Sequence, residues 1–129
     1  MNLHLGTDLV SIARFEESLA RTPGMLQRLF TADELATLGA PPATHRLAAR
    51  FAAKEAVAKA LGAPAGLSWH ECEVLCESNG APTLHFSGSV AKAAAALGLN
   101  QWRVSMSHDG GFAMATVVAM STQEGKDND

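Results

Sequence analysis

Hydrophobic and polar positions along the first third of the chain predict a strand followed by short helices. Residues 3–12 are rich in Leu, Val and Ile and predict a strand that runs into a helix. Residues 13–21 predict a short amphipathic helix. Residues 31–39 predict another helix, because Thr31 and Glu34 have the spacing of a capping box.

The rest of the chain predicts one long helix and then a mostly β region. The expected elements are a helix from Thr44 to Leu61, strands over 71–77 and 83–87, a helix over 87–99 with Ser87 or Ser89 as its cap, and a hairpin over 102–120 about an Asp-Gly-Gly turn. This order predicts a single α+β domain, residues 1–121, in which an antiparallel sheet packs with helices. A polar C-terminal tail, residues 122–129, is expected to follow it.

Composition agrees with one globular domain. The chain has 129 residues, of which 47% are hydrophobic and 18% charged. Cys72 and Cys76 lie four residues apart on a predicted strand, about 13 Å, which is too far for a disulfide. With neither a signal sequence nor a long apolar span, we expect a cytoplasmic protein without a membrane partner.

Charge is distributed unevenly. The formal net charge is −3, which gives general nucleic-acid binding no support. Seven of the ten Lys and Arg nevertheless lie within residues 1–59. A basic first half in an acidic protein favours an anionic small molecule or an acidic protein surface as the partner.

The long helix carries the first candidate site. Arg50, Lys54, Glu55 and Lys59 occupy one half of its circumference, and the opposite half is mainly alanine. One interpretation is an ordinary solvated Glu55–Lys59 pair, worth roughly 0.3–0.5 kcal/mol. The excess of positive over negative charge instead favours a site for a phosphate and a metal ion.

Asp8 and His108 each have two interpretations. Asp8 is either a cap for the helix that begins near Ser11 or, with Glu55, one of the few carboxylates that Mg²⁺ requires. His108 closes a strand before a tight turn and is either a surface residue or a ligand-binding one. The remaining histidines show no pattern of partners, so no zinc site is expected: His4, His45, His70 and His85.

Three stretches together resemble a known family. "GTDLVSIARFEESL", "RFAAKEAVAKALG" and "VSMSHDGGFAMATVV" are similar to the signature motifs of the holo-[acyl-carrier-protein] synthase family, the small type of 4′-phosphopantetheinyl transferase. The resemblance implies that the phosphopantetheine arm of coenzyme A moves to a serine of apo acyl carrier protein, releasing adenosine 3′,5′-bisphosphate. It implies Mg²⁺ as the cofactor and coenzyme A as co-substrate.

The resemblance also assigns roles to individual residues. Asp8 and Glu55 match the Mg²⁺ ligands, and Lys59 matches the lysine that meets the coenzyme A phosphates, so these three are the expected catalytic residues. The residues expected to hold the cofactor are Arg50, Lys54, Lys59 and His108. The residues expected to meet the acidic carrier-protein helix are Arg14 and Arg21, with Arg28 as a further candidate. Family members are trimers with active sites between subunits.

Some features leave alternatives open. Pro64 in "GAPAG" and Glu71 depart from the family pattern of a glycine-richer loop and an aspartate. The base that accepts the serine proton is either Glu55 or a metal-bound water oriented by a carboxylate. His108 is the less favoured base, because cofactor anchoring also explains it. The alternative functions are an Mg²⁺-dependent phosphohydrolase and a non-catalytic module that binds coenzyme A or a carrier protein.

Overall fold

The computed structural model describes residues 2–122. In that range the chain forms five strands and five α-helices in the order β1 (Leu3–Ser11), α1 (Ile12–Arg21), α2 (Met25–Leu29), α3 (Ala32–Ala36), α4 (Thr44–Ala60), a 3₁₀ turn (Trp69–Glu71), β2 (Cys72–Cys76), β3 (Pro82–Phe86), α5 (Gly88–Ala96), β4 (Gln101–Asp109) and β5 (Phe112–Met120). The predicted α+β class is confirmed, and α2 is an addition to the predicted order.

The strands form two antiparallel sheets. Three strands pair in the order β1-β5-β4, and β2 and β3 form a separate hairpin. The predicted turn between β4 and β5 is present as a two-residue loop, Gly110-Gly111, with φ angles of 57° and 84°. Positive φ at both positions is the geometry of a type I′ turn, which glycine adopts without strain.

Helix α4 lies directly against one face of the three-stranded sheet. A Cβ atom at Gly6 in β1 would overlap the carbonyl oxygen of Ala56 in α4, so only glycine permits this approach. Ala52, Ala53 and Ala56 are fully buried along the contact. The alanine-rich half of α4 therefore brings its charged residues close to β1.

Of the two serines predicted to cap α5, Ser87 occupies the N-cap position. Its side chain makes no capping hydrogen bond. Instead the Glu71 carboxylate accepts hydrogen bonds from the backbone N–H and hydroxyl of Ser89. These bonds hold the pKa of the Glu71 carboxyl below its usual value. Glu71 thus joins the 3₁₀ turn to α5.

The lowered pKa of Glu71 predicts an acid-sensitive contribution to stability. The contribution is fully present above the ordinary glutamate pKa of 4.5 and is lost as pH falls through the lower pKa of the folded state. Glu71→Gln should therefore lower the urea midpoint at pH ~7 and have little effect at pH ~3. Equal differences between the two proteins at both pH values would contradict this account.

The remaining predictions concern the cysteines, the C-terminal tail and the membrane. Both cysteines are free thiols, and burial raises the pKa of Cys72 to about 12. Apart from Thr122, the predicted tail lies outside the described residues. Between residues 2 and 122, every helix is too short or too polar to cross a membrane.

Candidate active site

Asp8 and Lys59 form the centre of the candidate site. Asp8 lies on β1, and Lys59 lies in the last turn of α4. The Lys59 Nζ donates to Asp8 Oδ1 at 2.9 Å and to the Thr7 carbonyl oxygen at 2.9 Å. Since the side chain of Lys59 is 53% exposed, it is open to an incoming ligand. The local Glu55–Lys59 ion pair is not formed within residues 2–122, because Lys59 pairs with Asp8 instead.

Glu55 shares a cavity of about 400 Å³ with Asp8. We call it the carboxylate cavity. Burial raises the pKa of Glu55, the charge of Asp8 raises it further, and Lys59 partly offsets both effects. The helix cap that was an alternative role for Asp8 belongs to Ser11, whose hydroxyl accepts from the Arg14 backbone N–H.

The two carboxylates fit a divalent cation bound by few protein oxygens. They repel each other, and a cation between them would relieve that repulsion. Among residues 2–122 no group of three or more His, Cys, Asp and Glu could hold a metal ion. Two protein carboxylates, with water and substrate phosphates supplying the other ligands, are typical of Mg²⁺ and unlike a closed zinc site.

Lys54, which was predicted to bind the cofactor, lies in the interior of the protein in this structure. Its side chain is fully buried, and Nζ forms an ion pair with Glu34 Oε1 at 2.8 Å. The same Nζ donates to the carbonyl oxygens of Trp69 and Cys72 at 2.9 and 2.6 Å. All three N–H groups of the ammonium are therefore used inside the protein.

Arg50 and His108 meet in a second cavity of about 430 Å³ between α4 and β4, which we call the basic cavity. Arg50 is only 6% exposed, its Nη2 donates to Cys76 Sγ at 2.9 Å, and its Nε has no partner among the described residues. The His108 ring packs on His45 with centroids 4.4 Å apart.

His45 and Arg46 also line the basic cavity, and the sequence pattern predicted no role for them. The signal was present, because positions 45, 46, 49 and 50 lie on one face of a helix. Local patterns do not reveal the contact between His45 and His108, because the two residues are distant in sequence.

The predicted docking arginines are exposed on the first two helices. Arg14 and Arg21 are seven residues apart on α1 and so share one face, and Arg28 lies in the last turn of α2. Arg14 also lines the carboxylate cavity. The surface that carries these arginines therefore adjoins the carboxylate cavity at Arg14.

Comparisons with known proteins define the class to which this fold and site belong. The model of the 4′-phosphopantetheinyl transferase superfamily matches residues 4–117. The chain is therefore a transferase of the phosphopantetheinyl class.

Comparison with individual relatives identifies the family within this class. The holo-[acyl-carrier-protein] synthase of Salinispora arenicola is 55% identical over 120 residues, which cover 92% of this chain and 98% of the relative. The solved Chronobacterium ammoniagenes ACPS–CoA complex has a TM-score of 0.84 at 29% identity and covers 95% of this chain and 100% of that one. The Helicobacter pylori holo-[acyl-carrier-protein] synthase in complex with coenzyme A has a TM-score of 0.78 at 31% identity and covers 90% and 99%. The chain belongs to the holo-[acyl-carrier-protein] synthase family, which confirms the predicted resemblance.

Proposed function

We propose that the chain transfers the 4′-phosphopantetheine arm of coenzyme A to a serine of apo acyl carrier protein, releasing adenosine 3′,5′-bisphosphate. In this proposal Asp8 and Glu55 are the Mg²⁺ ligands and Lys59 meets the coenzyme A phosphates. The observation that carries it is the placement of the two carboxylates in one cavity beside an exposed lysine. The coenzyme A bound to the Chronobacterium ammoniagenes and Helicobacter pylori relatives supports the same co-substrate here.

In phosphoryl transfer of this kind, the protein contributes mainly by positioning the reactants and by stabilising the charge of the transition state. When bound, Mg²⁺ would offset negative charge on the pyrophosphate oxygens. Lys59 stabilises negative charge that develops on the leaving phosphate, because its ammonium group is exposed and held by Asp8 and the Thr7 carbonyl. Glu55 is the base that the chain itself supplies for the serine hydroxyl proton. Its carboxylate lies in the same cavity and accepts no hydrogen bond from residues 2–122.

The basic cavity completes the cofactor site in this proposal. Arg50 and His108 lie there, outside the carboxylate cavity. A buried guanidinium without a carboxylate partner is costly, so an anion is the natural ligand. This supports a role for both residues in holding the part of coenzyme A that is not being cleaved.

The carrier protein is proposed to dock on Arg14, Arg21 and Arg28. Arg21→Glu should weaken carrier-protein binding by about tenfold and reduce its salt dependence, because a long-range attraction becomes a repulsion. Coenzyme A affinity should stay the same, since Arg21 lies outside both cavities. Calorimetry with each ligand checks this, with Lys92→Glu, an exposed lysine on α5, as the control. Equal losses for both ligands would contradict docking.

A homotrimer with active sites between subunits is also proposed. The face of the three-stranded sheet opposite α4 exposes large apolar side chains from β1 and β5: Leu3, Leu5, Leu9, Phe112 and Met114. A contiguous apolar surface of this kind is typical of a protein interface. It supports burial of this face between copies of the chain.

Leu9→Asp tests the trimer. Leu9 is 63% exposed in the single chain and pairs with Met114 across the sheet, so a charge there should disrupt assembly and leave the subunit fold intact. Light scattering coupled to size exclusion should show a trimer for the wild type and monomers for the variant. Leu97→Asp, at an exposed leucine after α5, should remain trimeric. A trimeric Leu9→Asp protein would contradict the proposed interface.

A cytoplasmic location is part of the same proposal. It is supported by the two free cysteines, which suit a reducing compartment.

Intact-mass spectrometry of apo acyl carrier protein tests the function. Incubation with this protein, coenzyme A and Mg²⁺ should add the mass of one phosphopantetheine arm, and a chelator should prevent the addition. Release of phosphate or pantetheine phosphate without an acceptor would indicate a hydrolase. Binding of coenzyme A with no reaction on several carrier proteins would indicate a binding module.

A further inference from the structure

The last turn of α4 contains a backbone acceptor that the helix itself does not satisfy. In a continuing helix the Ala60 carbonyl would accept from the N–H four residues on, but that position is Pro64, which has no N–H. The Ala63 N–H donates to the Ala58 carbonyl oxygen at 2.7 Å instead. Across the part of the chain that the structure describes, no backbone N–H is donated to the Ala60 carbonyl. The helix end that carries Lys59 therefore needs a donor from another element.

His4 on β1 supplies this donor. Its Nδ1 lies 2.8 Å from the Ala60 carbonyl oxygen, and since a carbonyl oxygen only accepts, Nδ1 is the donor. The other ring nitrogen, Nε2, lies 3.0 Å from Asn2 Oδ1, and the amide nitrogen of Asn2 donates to the Leu97 carbonyl oxygen at 2.8 Å. Both ends of the half-buried imidazole are thus held, so that Nδ1 faces the end of α4.

Strand β1 connects this hydrogen bond to the candidate site. His4, Gly6 and Asp8 alternate along the strand, and all three face α4. Gly6 lets the two backbones approach closely, and Asp8 accepts a hydrogen bond from Lys59, the residue next to Ala60. The last turn of α4 is therefore attached to β1 twice, once through its backbone at Ala60 and once through the Lys59 side chain.

We propose that His4 is a positioning residue for the transfer reaction, because it fixes the last turn of α4 and so holds the Lys59 ammonium in place for the phosphates. This inference rests on the proposed function. The Lys59 side chain is long and 53% exposed, so the position of its ammonium depends on the backbone that carries it. His4 lies outside both cavities and acts only through the helix.

His4→Leu and His4→Asn form a matched pair of variants, because their side chains have the same branched shape and only asparagine retains an N–H donor at the position of Nδ1. His4→Leu should lower kcat by about tenfold and change the KM for coenzyme A by less than about twofold, as expected when a group that acts in the transition state is displaced. His4→Asn should keep kcat within about twofold of the wild type. Intact-mass spectrometry of the carrier protein measures the rates. His85→Leu, at an exposed histidine on β3, is the control.

The reactivity of Lys59 provides a measurement that does not depend on turnover. The Lys59 ammonium is held by Asp8 and by the Thr7 carbonyl oxygen, so an acetylating N-hydroxysuccinimide ester should modify it slowly. His4→Leu should raise this rate by about threefold, the change expected when a partly exposed ion pair is loosened. His4→Asn should retain the wild-type rate. Peptide mass spectrometry measures the modification, and Lys92, exposed on α5, should react equally in all variants.

Equal kcat values for His4→Leu and His4→Asn would overturn the proposal, and so would a wild-type rate of Lys59 acetylation in His4→Leu. Thermal melts show whether each variant is folded. His4→Thr replaces His4→Leu if the latter unfolds, since threonine suits a strand and its hydroxyl is one bond nearer the backbone than Nδ1. Transfer by the wild type without a contrast between the variants removes this inference alone. A contrast in Lys59 acetylation without any transfer removes the proposed function and leaves the attachment of Lys59 through His4.

Discussion

Replacement of Asp8 with asparagine is expected to lower kcat/KM for carrier-protein modification by about 10²–10³-fold. The change removes one of two carboxylates in the cavity and the charge that holds Lys59 at 2.9 Å. Both effects weaken the neutralisation of negative charge on the reacting phosphates, since Asp8 lies in the same cavity as Glu55. Initial rates measured by intact-mass spectrometry at several Mg²⁺ concentrations check the loss. More Mg²⁺ should recover part of the activity if the missing oxygen is a metal ligand.

The same variant should remain folded. In the Asp8–Lys59 pair the lysine side chain is 53% exposed and the aspartate 15%, and solvent screening of the exposed partner limits the pair's contribution to about 0–1 kcal/mol. Calorimetry should show weaker Mg²⁺ binding in the presence of coenzyme A, independently of turnover. Asp33→Asn, at an exposed aspartate on α3, should leave both measurements at wild-type values. An Asp8→Asn protein that is strongly destabilised but keeps the specific activity of the wild type in its folded fraction would show that Asp8 is structural.

Features encoded by neighbouring residues were predictable from the sequence. Helix α4 ends one residue before the predicted Leu61, because Gly62 follows with a positive φ angle of 84°. The capping box of α3 is present with both of its hydrogen bonds, between Thr31 and Glu34. Helix α2 was missed because it has only five residues and no side-chain cap, so no local pattern marks it.

Contacts between distant residues were the part that local patterns could not supply. An ion pair between Glu55 and Lys59, one turn apart, was one interpretation of the helix, but Lys59 pairs with Asp8, which is 51 positions away in sequence. Helix α4 approaches β1 closely at Gly6, and this approach places a strand carboxylate within reach of the lysine. An ion pair on the surface of one helix contributes so little stabilising free energy that tertiary packing decides which carboxylate the lysine contacts.

Lys54 is a second residue whose contact partner could not be predicted from local patterns. A helical wheel places Lys54 beside Arg50 on a charged face and does not reveal that Glu34 closes over it. The Glu34 carboxylate is also the acceptor of the capping box and of the Val74 backbone N–H at 2.9 Å. One side chain therefore joins α3, α4 and β2, and the sequence pattern showed only the first of these contacts.

Lys54→Met is expected to lower the free energy of unfolding by about 3–5 kcal/mol, because it leaves the Glu34 carboxylate buried without its counter-ion. The Trp69 and Cys72 carbonyl oxygens also lose a donor. Urea denaturation at neutral pH measures the loss. Lys92→Met, at an exposed lysine, should change stability by less than about 0.5 kcal/mol.

A double-mutant cycle distinguishes this structural role from cofactor binding. Glu34→Gln with Lys54→Met should cost less than the sum of the two single changes, because neither partner is then left charged and alone. Where the Lys54→Met protein is still folded, its affinity for coenzyme A should equal that of the wild type, since the lysine has no open N–H to offer a phosphate. A stable Lys54→Met protein that no longer binds coenzyme A would instead restore the role that the family resemblance implied. The buried pair with Glu34 would then have to open when the cofactor enters.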